Sequence, residues 1–342
     1  MSRSVWHLSL GGIGLLYATM ICAPFIAPYS HKQQFRDHFY MSPTEVHFRD
    51  HEGTLSWRPF IYDYQKGDTV GTYQLQKRKL PVRFLVQGAP YQWFGFTFRT
   101  HLFGLDEVSK QIFLLGSDAL GRDLLSRILF GAQFSLSVGV ISILFASFLG
   151  VLFGAWAGYW AGWPHRFIMR LCDLFLSLPA LFLVLGIRAV FPQQMSGQGA
   201  FWMIVLIFTL IGWSTVTRII RGQVLSLKTR QYVLAAEAAG STHLTILARH
   251  ILPFTANYLL VQCAVFIPMF IMGEITLSFL GVGVQEPDVS WGSLLAAGAS
   301  IQTISDHPWL LSPFLCILLT TVLFNLAADE LRVLGKQPVR WW

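Results

Sequence analysis

Long apolar runs separated by short polar connections make up most of this chain. A helix needs about 20 mostly apolar residues to cross a hydrocarbon core roughly 30 Å thick. Six runs approach or exceed that length: Leu8–Pro28, Phe134–Tyr159, Phe167–Phe191, Phe201–Ile220, Tyr258–Leu280 and Trp309–Ala328. The pattern therefore predicts six transmembrane helices, with bends at Pro179 and Pro268.

The polar region between the first two runs has a different pattern. From Trp57 to Leu115, short β-favouring runs alternate with turn formers, and Gln65–Gly71 has the composition of a hairpin-like connection. We expect a small β-containing subdomain here. Its aromatic residues either form a local core or lie near the lipid headgroups; they are Tyr91, Trp93, Phe94, Phe96 and Phe98.

Composition supports a membrane protein. Of the 342 residues, 54% are hydrophobic and only 13% are charged, which is more apolar surface than one water-soluble core requires. We predict an all-α polytopic membrane protein with a β-containing extracytoplasmic insertion. The first run could instead be a cleaved signal peptide, because Arg3 precedes it and small residues lie near its end. Its length favours an uncleaved anchor.

Basic residues predict the orientation. Connections with several Lys and Arg follow the second, fourth and sixth runs, whereas 280–308 has none. By the positive-inside rule, both termini are cytoplasmic and 29–133 lies outside. The basic residues of 29–133 do not contradict this, because loops longer than about 60 residues do not follow the rule. The predicted organisation is an anchor helix (1–28), an extracytoplasmic insertion (29–115), an interfacial amphipathic helix (116–133), a five-helix core (134–334) and a cytoplasmic tail (335–342).

The interfacial helix is predicted from charged residues at helical spacings. These residues are Asp118, Arg122, Asp123 and Arg127. Asp123 and Arg127 are four residues apart, a spacing at which opposite charges pair on a helix surface. We expect this helix to lie in the membrane interface and to lead into the second span.

The segment 229–253 is longer than a connection between two helices requires. Strong helix formers precede Gly240, which suits a left-handed C-terminal cap, and Ser241 or Thr242 can cap a second helix that ends near His250. Pro253 marks the next helix or a bend. With polar groups at His243, Arg249 and His250, the segment is predicted to be a docking surface for a cytoplasmic partner.

This segment resembles the EAA loop of ABC importer permeases. With Gly240 aligned on the Gly of that pattern, its two Ala fall on Ala235 and Ala236, and its Leu-Pro falls on Leu252 and Pro253. Two positions depart from the pattern. Its Glu falls on Leu234, while Glu237 is three residues out of register, and His250 replaces Ile. The change at Leu234 removes one charge from the expected docking surface.

Further motifs are similar to the second permease subunit of dipeptide and oligopeptide ABC importers. They are GSDALGRDLLSRILFGAQFSLSVG, GYWAGWPHRFIMRLCDLFLSLPALFL, TLSFLGVGVQEPDVSWGSLLAAG and NLAADELR. The resemblance implies a type I importer permease of the bacterial inner membrane, with a homologous sister permease, two cytoplasmic ATPase subunits and an extracytoplasmic binding protein. It implies peptides as cargo, with nickel chelates or oligosaccharides as alternatives.

The chain has no GxxxxGK[ST] motif, so we expect it to bind no cofactor and to leave ATP and Mg to its partners. We expect no nucleic-acid, metal or catalytic site. An ion-coupled secondary transporter would need several carboxylates inside the spans. Only Glu274 lies deep in one, where it either contacts cargo or stabilises helix packing. Ser278, one turn further on, is the other candidate pathway residue.

Overall fold

The computed structural model describes residues 3–50, 54–66, 73–107, 110–192 and 195–335. The α-helices are α1 (Arg3–Ile21), α2 (Ala23–Ile26), α3 (Leu124–Tyr159), α4 (Trp163–Ser177), α5 (Ala180–Val190), α6 (Gly197–Lys228), α7 (Gln231–Ala238), α8 (His243–Thr245), α9 (Leu252–Phe279), α10 (Trp291–Ala297), α11 (Ile301–Asp306) and α12 (Ser312–Gly335). A π-helical turn, Ile246–Ile251, joins α8 to α9, and a 3-10 turn, Pro308–Leu311, precedes α12.

The predicted helical membrane class is confirmed, whereas the count of six spans is not. Within the described residues, four helical stretches are long and apolar enough to cross a membrane: Leu124–Tyr159, Gly197–Lys228, His243–Phe279 and Pro308–Leu331. Counting α4 and α5 as one bent span gives five. The apolar part of α1, Trp6–Ile21, is shorter than these helices.

The predicted third span is divided into α4 and α5 at Pro179. Leu178 has an extended backbone (φ −76°, ψ 125°), as expected for a residue before proline, whose ring excludes the helical conformation there. The two helices are bent by 98° across the break, so the bend predicted at Pro179 is confirmed. Pro268 lies inside α9, which continues past it.

The helix predicted over 116–133 is correct only from Leu124 onward. Helix α3 begins only at Leu124 and continues without interruption to Tyr159. The preceding residues form turns, with left-handed backbones at Gly116 (φ 79°) and Gly121 (φ 71°). Within this stretch, the charged side chains of Asp118 and Arg122 are buried, because they pair with other charges of the chain.

A four-stranded antiparallel sheet occupies residues 47–105. Its order is β1 (His47–Arg49), β2 (Leu55–Lys66), β3 (Tyr73–Trp93) and β4 (Phe96–Leu105). One buried apolar cluster lies against it, formed by Ile61, Leu80, Val82, Phe103, Leu105 and Ile112. Most of the connection predicted at Gln65–Gly71 lies outside the described residues. The structure thus has a β-rich region where β structure was expected.

A stripe of glycines allows α3 and α6 to approach closely. Gly150, Gly154 and Gly158 are spaced four residues apart on α3, as in the small-residue stripes of membrane helix pairs. A Cβ added to Gly154 would lie 2.7 Å from the Thr217 carbonyl oxygen and 2.8 Å from Ile220 Cβ. There is no room for a larger residue at this contact.

We therefore expect Gly154→Ala to lower stability by about 1–3 kcal/mol, because the added methyl group meets backbone that cannot rotate away. The melting temperature of the detergent-solubilised protein measures this loss. The matched control is Gly222→Ala on α6, where no atom lies within 4 Å of the added Cβ. An equal melting temperature for the two variants would contradict the close contact.

Candidate functional site

The 229–253 segment begins with a helix that ends at Gly240. Gly240 has φ 79°, and its amide donates to the Glu237 carbonyl at 2.9 Å, while the Ser241 amide donates to the Ala236 carbonyl at 3.1 Å. This pair of hydrogen bonds is the Schellman motif, in which a left-handed glycine ends a helix. The cap predicted at Gly240 is confirmed.

The second half of the segment does not end near His250, as predicted, but continues into α9. Thr242 is the N-cap, and its hydroxyl accepts from the Thr245 amide at 3.3 Å. The π-helical turn then contains a bond from the Leu252 amide to the Leu247 carbonyl, five residues back. Pro253, which has no amide hydrogen to donate, immediately follows this wider turn.

The segment has one buried side and one exposed side. Val233, Ile246 and Ile251 are buried, which holds the two helical parts together. Leu234 and Leu244 are 51% and 69% exposed. The other predicted contact residues on the exposed side are Ala235, Glu237, His243, Arg249 and Pro253, whereas Ala236, His250 and Leu252 are half-buried. Exposed apolar side chains on a helical surface are the anchors that helix-in-groove docking uses.

Two residues that were not predicted attach this segment to the long helices. The Tyr159 hydroxyl lies 2.9 Å from His243 Nδ1. Lys228 donates from Nζ to the Tyr159 carbonyl at 2.9 Å and lies 4.8 Å from the centre of its ring. Tyr159 is the last residue of α3 and Lys228 the last of α6. The segment is therefore fixed to the ends of both helices.

A second cluster contains three of the four charged residues of the predicted interfacial helix, namely Asp118, Arg122 and Arg127. Asp118 Oδ1 accepts from the Leu120 and Arg122 amides at 2.9 Å. Its Oδ2 accepts from Arg122 Nε at 2.8 Å and from Arg127 Nη1. Arg127 thus pairs with Asp118 and not with Asp123, the partner that its spacing suggested.

Glu286 completes this cluster from the connection between α9 and α10. It accepts two bonds from Arg122 and one from Arg127 Nη2 at 2.8 Å. Burial alone would raise the pKa of Glu286, but the two guanidinium groups outweigh it and hold the pKa below its usual value. Two carboxylates and two guanidiniums balance in charge. Asp118, Arg122 and Arg127 are buried, whereas the Glu286 side chain is 52% exposed. The acidic loop containing Glu286 suggested membrane orientation only, so no sequence signal identified it as the partner.

Asp123 has a separate role at the start of α3. Its Oδ2 accepts from the Ser126 amide at 2.8 Å and from the Ser126 hydroxyl at 2.6 Å, which makes it the N-cap of the helix. Burial raises the pKa of Asp123 to about 7, although the bonds from Ser126 oppose this.

The two predicted pathway residues are both buried within this chain. Glu274 is 0% exposed and Ser278 is 2% exposed. Ser278 Oγ accepts from the Val284 amide at 3.3 Å and so stabilises the turn after α9. Neither side chain is on an open surface of the chain.

Comparison with known proteins identifies the family. Residues 150–334, just over half of the chain, match the family described as binding-protein-dependent transport system inner membrane component. The glutathione transport system permease protein GsiD of Pectobacterium atrosepticum is 38% identical over 228 residues, which cover 67% of this chain and 73% of that protein. The oligopeptide transport system permease protein OppC of Bacillus subtilis is 33% identical over 236 residues, covering 68% and 74%.

The chain therefore belongs to the family of binding-protein-dependent transport system inner membrane components. The predicted resemblance to ABC importer permeases of the dipeptide and oligopeptide family is confirmed. The residues that match the family, 150–334, include the 229–253 segment and Glu286. The sheet and the two buried arginines precede residue 150.

The charge cluster predicts a large loss of stability for Arg127→Met. Removing the Arg127 guanidinium leaves Asp118 and Glu286 with a single guanidinium. Breaking a buried ion pair costs about 3–5 kcal/mol. Arg218→Met is the control, since the Arg218–Asp173 pair is exposed and worth about 0–1 kcal/mol. Melting temperatures measure both losses. If the two losses are equal, the charge cluster does not contribute as described.

The raised pKa of Asp123 predicts that the folded state loses stability as pH rises, the opposite of the contribution from the lowered pKa of Glu286. A carboxyl whose pKa is raised on folding binds more protons in the folded state, so stability falls as pH rises from about 4 to about 7. We expect the wild type to lose more stability than Asp123→Asn between about pH 5 and about pH 8. The contribution of Glu286 is common to both proteins and cancels. Parallel pH profiles of melting temperature would contradict this prediction.

Proposed function

We propose that this chain forms one half of the translocation pathway of an ABC importer that takes up peptides. Two relatives are named as a glutathione and an oligopeptide permease, and glutathione is itself a small peptide. The other half would be a homologous sister permease, cargo would be delivered by an extracytoplasmic binding protein, and two cytoplasmic ATPase subunits would supply the energy. ATP and Mg would be bound by those subunits, and this chain would be a transport subunit without enzymatic activity.

The observation that carries the proposal is the construction of the 229–253 segment. The exposed Leu234 provides an apolar contact, and Glu237 and Arg249 provide charged ones. A helical surface of this kind fits a groove on a partner protein. The segment would dock in a cleft of one ATPase subunit, with both termini of the chain on the same cytoplasmic side and the β-rich region outside.

The same segment would transmit movement of the ATPase to the membrane. Its second half continues without a break into a helix that extends from His243 to Phe279. Through Tyr159 and Lys228, the segment is also attached to the ends of α3 and α6. Closure of the ATPase pair on ATP would therefore tilt several helices together, which is how packed helices alternate between two states. Glu274 lies on this continuous helix.

An apolar groove beside the segment supports the proposal of a sister subunit. It has a volume of about 870 Å³ and is lined by Phe148, Leu152, Trp156, Trp160, Leu244 and Leu247 among others. Membrane helices associate through close packing of such surfaces. The proposed occupant is a helix of the sister permease.

Purification in a mild detergent tests the assembly. We expect the tagged chain to bring with it a homologous permease and two P-loop subunits with ATPase activity, identified by mass spectrometry. A chain that purifies alone and still moves solute in liposomes would overturn the proposal in favour of an ion-coupled secondary transporter.

Gly240 provides a test of coupling. Because Gly240 has a left-handed backbone and open space beside it, Gly240→Val strains the turn without a steric clash, at a cost of about 1–2 kcal/mol. We expect uptake and cargo-stimulated ATPase activity to be lost while the protein remains folded. Gly240→Asn is the control, because asparagine tolerates this conformation, and it should retain both activities. Normal uptake by Gly240→Val would refute the coupling role.

A further inference from the structure

The hairpin formed by β3 and β4 carries aromatic residues on one face only. Trp93 lies directly opposite Phe96, and Tyr91 opposite Phe98, so all four side chains are on the same side of the hairpin. Phe94 joins them at the turn, where Phe94 and Gly95 have left-handed backbones. We call these five residues the aromatic face. The intervening pair, Gln92 and Thr97, lies on the other face and is polar.

The aromatic face is exposed at its tip. Phe94 is 78% exposed and Phe96 is 69% exposed. The rings also contact one another, with Trp93 at 5.6 Å from Phe94 and 5.9 Å from Phe98 between ring centroids. The face is therefore a preformed aromatic surface, too large to be left in water without a reason.

The position of the hairpin indicates what covers this surface. Trp93 Nε1 donates to the carbonyl of Ile21 at 2.9 Å, and Ile21 is the last residue of α1. The apolar part of α1, Trp6–Ile21, is about 24 Å long at 1.5 Å per residue, less than the roughly 30 Å of a hydrocarbon core. In the predicted anchor topology, with the start of this helix at the cytoplasmic boundary, Ile21 lies within about 6 Å of the opposite boundary, and Trp93 lies beside it.

A second attachment fixes the orientation of the hairpin. The ring nitrogens of His101 on β4 lie 2.7 Å from the Ala27 carbonyl and 3.0 Å from the Ala89 carbonyl. Ala27 immediately follows α2 and Ala89 is on β3. Because the hairpin is bound both at Ile21 and at Ala27, its aromatic face cannot turn freely away from the end of α1.

We propose that the aromatic face lies in the interfacial layer of the phospholipid bilayer and anchors the β-rich region to the membrane. Tryptophan, tyrosine and phenylalanine carry large apolar surfaces, and tryptophan and tyrosine concentrate at the boundary between headgroups and acyl chains. The face carries no charged side chain that would call for a complementary protein partner. Ile21, whose carbonyl Trp93 binds, is itself 44% exposed.

Opposite faces of the hairpin then meet different surroundings. The polar face, with Gln92, Thr97 and Arg99 exposed, remains in water. Phe94 and Phe96 are inserted among the upper parts of the acyl chains. The depth of a probe at each face therefore distinguishes the bilayer from water and from a protein partner.

Spin labels measure that depth. The four cysteines, Cys22, Cys172, Cys263 and Cys316, are free and are first replaced by serine in the full-length chain. Phe94→Cys and its matched control Thr97→Cys are then labelled with a nitroxide. Each variant, with the subunits that co-purify with it, is placed in nanodiscs of phosphatidylethanolamine and phosphatidylglycerol. Relaxation by oxygen, which concentrates in lipid, is compared with relaxation by a water-soluble nickel chelate.

We expect the label at position 94 to respond several-fold more to oxygen than to the nickel chelate, and the label at position 97 to show the reverse. Equal nickel accessibility at both positions would place the face in water and overturn the proposal. A label at position 94 that neither reagent reaches would indicate a covering protein subunit and would overturn it as well. If Phe94→Cys does not fold, Phe96→Cys provides the same measurement on the same face.

Discussion

The pairing of the buried Arg122 and Arg127 with Asp118 and Glu286 is the constraint on which the start of α3 depends. Taking a guanidinium out of water is costly unless every charge is matched and hydrogen-bonded. Asp118 accepts four bonds, which it can do only when residues 116–122 form a turn. Helix α3 therefore begins at Leu124. The same pairing holds the connection after α9, because Glu286 lies in that connection and binds both arginines.

The glycine stripe on α3 determines where the 229–253 segment is attached. In a bilayer, helices gain little from burying apolar surface and associate through close packing instead. A Cβ added to Gly158 would lie 2.8 Å from Val224, so α6 lies very close to the end of α3. That approach allows Lys228, one turn beyond Val224, to reach the Tyr159 carbonyl. The attachment of the segment is thus a consequence of packing between two helices in the membrane.

Features that depend on local chemistry could be predicted from the sequence, and features that depend on distant partners could not. Hydrophobic runs located the long helices, and Gly240 was identified as a left-handed cap because glycine alone adopts that backbone without strain. Asp123 and Arg127 have the spacing of a helical ion pair, but Arg127 binds Asp118 and Glu286 instead. Glu286 is 159 residues from Arg127, and no pattern within a single element indicates such a partner.

Leu234 stands where the EAA pattern has Glu, and the structure places another acidic residue close by. Leu234 and Glu237 both lie on α7 and are three residues apart, a separation that places side chains on neighbouring positions of the same helix face. The carboxylate of Glu237 is thus displaced by about 4.5 Å along the helix axis from the position of the pattern's Glu. Both residues are exposed. In the proposed docking, an acidic group therefore remains on the contact face about one turn further along, and Leu234 adds an apolar contact in place of the original charge.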